Sequence, residues 1–232
     1  MPFSNRVCVV TGGTGALGAA VVRDLLEMGA TVHVTWRDAR ELDRIDFAKH
    51  VTLHEADLGD EASVAAVYEQ AGPVYASIHV AGGFAMAPIA DIAQADFEAM
   101  MRLNATTCFL CCREAVRAMR SSGRGAEDGG RIVNVVARPA LEPTGGMLAY
   151  STSKAAVASL TQCLAKETGA DGILVNAVAP SIMDTPANRA AMPDADFKVW
   201  PKVEEVARTM VWLASPANAL TSGTLVPVYG RA

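Results

Sequence analysis

Two kinds of segment alternate along the chain. Short runs rich in Val, Ile and Thr occupy residues 7–10, 31–35, 51–55, 76–80, 131–136, 173–178 and 224–228. Several are apolar at nearly every position, the pattern of strands buried on both faces of a parallel sheet. Between them lie segments with helical spacing at 16–28, 61–71, 94 to about 119, 149–168 and 203–214. In the first of these Leu17, Val21, Leu25 and Met28 fall on one side, and Gly29 ends the run. Strands alternating with helices of this length predict a parallel sheet covered on both faces. The expected fold is therefore α/β: one doubly wound Rossmann-type domain over residues 1–232, with about seven strands. The Gly-rich, charged stretch 121–130 reads as an exposed loop.

Composition supports a packed domain, since 51% of residues are hydrophobic and 19% charged. A net charge of −5 without a basic stripe argues against nucleic acid as a partner. No apolar run approaches the ~20 residues that span a bilayer, and residues 1–6 lead into the first strand without a signal-peptide pattern. Five Cys in no disulfide pattern fit a reducing cytoplasm, the expected location. Cys108, Cys111 and Cys112 share a helical segment and read as core thiols. The four His residues show no metal-ligand spacing, so no metal is expected.

Chemistry enters at Thr11-Gly12-Gly13-Thr14-Gly15-Ala16-Leu17-Gly18, directly after the first strand and opening the first helix. A Gly-rich turn there presents backbone N–H groups and a positive helix end to a pyrophosphate. Gly12, Thr14, Gly15, Leu17 and Gly18 are the candidate contacts. The second strand ends Val34-Thr35-Trp36-Arg37 with no carboxylate for a ribose 2′-hydroxyl. Arg37 is placed to pair with a 2′-phosphate, which favours NADP(H). NAD(H) is the alternative, with Asp38 on the ribose.

Further along come Asp57-Leu58, Ala81-Gly82, Asn104, Tyr150-Ser151-Thr152-Ser153-Lys154 and the segment Pro180 to Thr185. In this order, with the Gly-rich turn, they resemble the short-chain dehydrogenase/reductase superfamily over nearly the whole chain. The resemblance implies that Asp57 and Leu58 contact adenine and that Ala81 and Gly82 line the cofactor ribose. Pro180, Met183 and Thr185 would lie against the nicotinamide. Tyr150 would be the acid/base, Lys154 its pKa tuner and a ribose ligand, and Asn104 the holder of a relay water. Residues four apart share a helix face, so a Lys ammonium can lie beside a Tyr hydroxyl and favour its phenolate. The family also implies a small-molecule substrate, a lid at about 186–202, and a homodimer or homotetramer.

The sequence departs from the family where the catalytic Ser is expected, thirteen residues before Tyr150, at Ala137. Arg138 is the candidate to polarise the substrate or bind an anionic group in its stead, with Ser151, Ser153 and Thr144 as further hydroxyls. His79-Val80-Ala81-Gly82 replaces the family's Asn-Asn-Ala-Gly, and Ser181 follows Pro180. The Gly-rich turn, Ala137 and Gly146-Met147 together resemble the dihydropteridine reductase branch. The activity expected is reduction of a small carbonyl or imine-like compound by hydride transfer. A dihydropteridine-reductase-like enzyme and a dinucleotide-binding sensor or scaffold are the alternatives.

Overall fold

The computed structural model describes residues 1–123 and 128–232. In chain order its elements are β1 (Val7–Thr11), α1 (Ala16–Glu27), β2 (Thr31–Trp36), β3 (Thr52–Glu55), α2 (Glu61–Ala71) and β4 (Val74–His79). They continue with α3 (Gln94–Met101), α4 (Thr107–Ser121), β5 (Arg131–Val135), α5 (Arg138–Leu141) and α6 (Leu148–Glu167). The chain closes with β6 (Leu174–Pro180), α7 (Pro186–Ala191), α8 (Val203–Ala214) and β7 (Leu225–Val228). The seven strands form one sheet in the order β3-β2-β1-β4-β5-β6-β7, every pair parallel. Chain direction across the sheet reverses between β1 and β4, and doubly wound folds bind ligands in the crevice at such a switch point.

Each face of the sheet has its own core. Alternate side chains of a strand point to opposite faces, and β1 shows it: Cys8 and Val10 join one cluster, Val9 the other. On the first face Val21, Val22 and Leu25 of α1 pack with Met210, Val211 and Leu213 of α8. On the second lie Val64 and Val67 of α2, Cys111, Ala115 and Met119 of α4, and Val157 and Ala158 of α6. Pro227 sits in β7, an edge strand paired only with β6, where a missing N–H costs no ladder bond.

The single helix predicted over 94–119 is interrupted. A π-helical turn, Arg102–Thr106, lies between α3 and α4, with Asn104 at its centre. Such turns inside α-helices occur frequently at functional sites. The short helices α5 and α7 were not visible as periodicity, because each is too brief to show one. Part of the loop expected over 121–130 lies outside the described residues. At its end Asp128 is exposed and pairs with Arg6 at 2.8 Å, whereas Gly129 and Gly130 are buried. Among the described residues no helix is long and apolar enough to cross a membrane.

Candidate active site

The turn after β1 is shaped by close approach. Gly12 adopts φ +65°, and a Cβ there would lie 2.7 Å from the Ala81 backbone nitrogen. A Cβ on Gly18 would lie 2.1 Å from the Gly12 carbonyl oxygen. Helices α2 and α7 are capped by the side chains of Asp60 and Thr185, but α1 starts at Gly15 with no side-chain cap. Its leading N–H groups therefore keep no side-chain acceptor, and they suit a pyrophosphate. Leu17 turns its side chain into the first core cluster, so its backbone N–H is what it offers a ligand. The Thr14 hydroxyl donates to Glu41 in the 3₁₀ turn after β2.

At the end of β2, Arg37 is exposed and makes no hydrogen bond or ion pair among the described residues. Asp38 is committed elsewhere: it accepts from the Arg40 backbone N–H at 3.0 Å and pairs with the Arg40 guanidinium. That hydrogen-bonded guanidinium pulls the Asp38 carboxyl down to about 2. Beyond β3, Asp57 accepts from the Gly59 N–H at 2.9 Å and faces Arg102 at 3.7 Å, with Leu58 half-buried beside it.

Tyr150 and Lys154 lie in the first turns of α6. The Tyr150 ring meets Phe84 edge-on, with centroids 4.9 Å apart, and burial pushes its phenol up to about 12. Lys154 is buried and its ammonium donates to the Val135 carbonyl at 2.9 Å. Burial pulls Lys154 down to about 8, with the Cys108 sulfur acting in the opposite direction. At the phenol desolvation is the cause of the upward shift, while the lysine is turned to a backbone carbonyl. Gly82 stands between these groups, since a Cβ there would lie 2.6 Å from Asn104 Oδ1 and 3.3 Å from Lys154 Nζ.

Asn104 works as a clamp. Its Oδ1 accepts from the Gly83 N–H at 3.1 Å, and its Nδ2 lies 3.1 Å from the Gly83 carbonyl, from Ser153 Oγ and from Met100 Sδ. The side chain is spent on protein partners, so holding the relay water implied by the family would fall to its backbone. Ser153 in turn donates to the Tyr150 carbonyl at 2.7 Å, which turns it away from a substrate.

Ala137 is buried two residues past β5, as the N-cap residue of α5. Arg138 donates to Glu142 at 2.7 Å and to the Ala232 carbonyl at 2.8 Å, and it stacks over Tyr229. Those contacts join α5 to the C-terminal segment, and no observed contact directs the guanidinium to Tyr150. Thr144 is exposed, and Ser151 Oγ is buried with no hydrogen-bond partner among the described residues.

Pro180 ends β6 and is buried; past it, Ser181 donates to the Tyr229 carbonyl at 2.8 Å, and the Met183 carbonyl accepts from Asn188. Thr185 caps α7. Phe197 and Trp200 pack at 5.0 Å, and Arg189 lies over Phe197 while paired with Asp184. The segment 186–202 is thereby built on an aromatic and ionic cluster.

Two features escaped the sequence reading. Phe84 walls Tyr150 although nothing in the local pattern marks it. His79 joins Cys108 and Cys112 in space; the two thiols lie at i, i+4 on α4, but their partner lies on β4. A cavity of about 300 Å³ opens beside Ala149, lined also by Met86, Asp91, Ile92, Asp96 and Met100.

The Gly-rich turn approaches Ala81, and the neighbouring Gly82 approaches Lys154 and Asn104, at the topological switch point where doubly wound folds bind ligands. The family model for short chain dehydrogenases matches residues 6–196, and the chain belongs to that family, whose members bind NAD(P). It is 35% identical over 248 residues to cis-4-hydroxycyclohexanecarboxylate dehydrogenase of Sinomonas cyclohexanicum, covering 98% of this chain and 96% of that one. Among solved structures, a short chain dehydrogenase/reductase family protein matches with a TM-score of 0.90 at 31% identity, covering 99% and 98%. A blue fluorescent protein from a metagenomic library, in complex with NADPH, matches with a TM-score of 0.85 at 29% identity, covering 99% and 98%.

Proposed function

We propose that the protein is an NADP(H)-dependent reductase of a small carbonyl or imine-like compound, with Tyr150 as the proton donor. One observation carries the reading. Tyr150 stands against Phe84 with Lys154 one turn further along α6. A neutral phenol at working pH is the form that reduction consumes, because hydride addition leaves a basic oxygen or nitrogen that must be protonated. When bound, the reduced nicotinamide supplies the hydride. The chain's part is to hold the pyrophosphate on α1, to fix Gly83 and Ser153, the neighbours of Gly82 and Lys154, through Asn104, and to deliver the Tyr150 proton.

Arg37 supports the choice of NADP(H), being without an ion pair among the described residues while Asp38 is engaged by Arg40. The cavity beside Ala149 suits a small substrate, and Asp91 and Asp96 on its wall disfavour an anionic one. A homodimer or homotetramer belongs to this reading, since Phe109 and Trp212 are large apolar side chains left exposed.

The test is NADPH oxidation with a panel of ketones, diketones, quinones and quinonoid dihydropterin, on the wild type and on Tyr150→Phe. Loss of turnover by a factor of about 10²–10⁴ with NADPH binding retained is expected. A Tyr150→Phe enzyme as fast as the wild type, or tight NADPH binding with no turnover on any substrate, overturns the reading.

A further inference from the structure

On the α4 side of the sheet, three donors converge that the proposed reduction does not use. Cys108 and Cys112 are four residues apart on α4 and so share a helix face. His79 is the last residue of β4, on which α4 packs. One ligand atom from each lies within 4.8 Å of the others, and all three residues are buried. His79 Nδ1 and Cys112 Sγ are 3.5 Å apart. Around a tetrahedral zinc with bonds of ~2.0 Å to nitrogen and ~2.3 Å to sulfur, neighbouring donors sit roughly 3.5–3.8 Å apart. A contraction of about an ångström at the widest edge closes the triangle.

The surroundings are those of a metal site. Asn134 Nδ2 donates to Thr161 Oγ1 at 2.9 Å, and the Thr161 hydroxyl donates to the Val157 carbonyl. The amide is thereby fixed with Oδ1 towards the cluster, 2.8 Å from His79 Nδ1 and 3.6 Å from Cys112 Sγ. On the far side of the ring, Nε2 lies 2.8 Å from Ser77 Oγ and 3.2 Å from the Tyr68 hydroxyl. Those hydroxyls either donate or accept. Without an ion, Nδ1–H donates to Asn134 and Nε2 accepts. With Nδ1 ligating, the ring proton sits on Nε2 and is held by Ser77 or Tyr68, the outer partner that ligating histidines use.

We infer that His79, Cys108 and Cys112 form a buried site for a thiophilic divalent ion of the zinc class, with Asn134 Oδ1 in the fourth position. Zn²⁺ replaces the two thiol protons, which leave to solvent, and no electron is transferred. Two thiolates and one divalent cation leave the buried centre neutral, as burial requires. The bound ion would cross-link β4, α4 and β5.

The probe is Co²⁺, titrated into the reduced full-length chain and followed by sulfur-to-cobalt charge-transfer absorption, then displaced with Zn²⁺. One equivalent per chain is expected, kept through gel filtration, together with a rise in Tm on zinc addition. Cys108→Ser and Cys112→Ser should each lose at least about tenfold in affinity, while Cys111→Ser and Cys163→Ser keep the band. Should the two serine variants fail to fold, as far-ultraviolet circular dichroism will show, His79→Asn takes their place with the same expectation. A wild type that gives no sulfur-to-cobalt band, whether cobalt is added to folded protein or present during refolding, overturns the site. So does a band that survives loss of Cys108 or Cys112, or one that disappears with Cys163.

Discussion

Asn104 Nδ2 lies 3.1 Å from Ser153 Oγ, joining the π-helical turn to the helix that carries Tyr150 and Lys154. Because the same amide holds both backbone groups of Gly83, three pieces of the site share one side chain.

Replacing Asn104 with Ala should therefore cost both stability and turnover. Asn104 is 1% exposed, and leaving its part-buried Gly83 partners and buried Ser153 without it costs about 1–3 kcal/mol. Urea denaturation measures that loss. Steady-state kinetics should show kcat falling more than NADPH affinity, because the Gly-rich turn is untouched. Unchanged kcat in a folded variant would remove Asn104 from the site.

Arg37→Ala should weaken NADPH while leaving NADH nearly unaffected, by about tenfold or more in the ratio of affinities, the scale of a charge-assisted bond of ~1.5–3 kcal/mol. Isothermal titration with both cofactors gives the ratio directly. Equal losses for both would place Arg37 outside a 2′-phosphate site. Arg40→Ala, which frees Asp38, should move preference towards NADH.

At the vacant serine position, Ala137→Ser restores a hydroxyl two residues past β5. Simple ketones should gain most, since a donor at a reacting oxygen contributes ~2.7–4 kcal/mol where it is well placed. Arg138→Ala reports on the neighbouring side chain. Given its bonds to Glu142 and the Ala232 carbonyl, the expected result is a lower Tm with little change in KM. A large KM rise restricted to anionic substrates would give Arg138 the binding role instead.

His33 and His54 stack on adjacent strands, with Nδ1 of one 2.9 Å from Nε2 of the other. Burial holds both below their usual 6.5, and for His33 the neighbouring His54 adds to it. The unfolded chain therefore takes up protons that the folded chain refuses as pH falls through 6.5. Stability is fully present above that value and is lost below it. Tm should fall on acidification from about pH 7 to about pH 5, and His54→Gln should flatten the slope. A Tm that is level across this window would contradict the assignment.

The order of elements was legible because hydrophobic runs such as Val7–Thr11 have no other stable home than a doubly covered sheet. Tyr150 and Lys154 were legible for a similar reason, since both lie within one helix and spacing fixes their common face. What remained hidden is what depends on separate elements meeting. Periodicity could not place Phe84 against Tyr150, turn Arg138 towards Ala232, or bring His79 to Cys112. Nor does it foretell that desolvation raises the Tyr150 phenol, because that shift is set by packing around the side chain.

A turn closed by i→i+5 bonds holds one residue more than the α-helix on either side requires. A chain shortened by one residue within Arg102–Thr106 could close to plain α-helix there, with Met100 and Cys108 still on their faces. What it would give up is the seat of Asn104. The helix thus carries one residue that folding does not need, and the candidate site is hung on it.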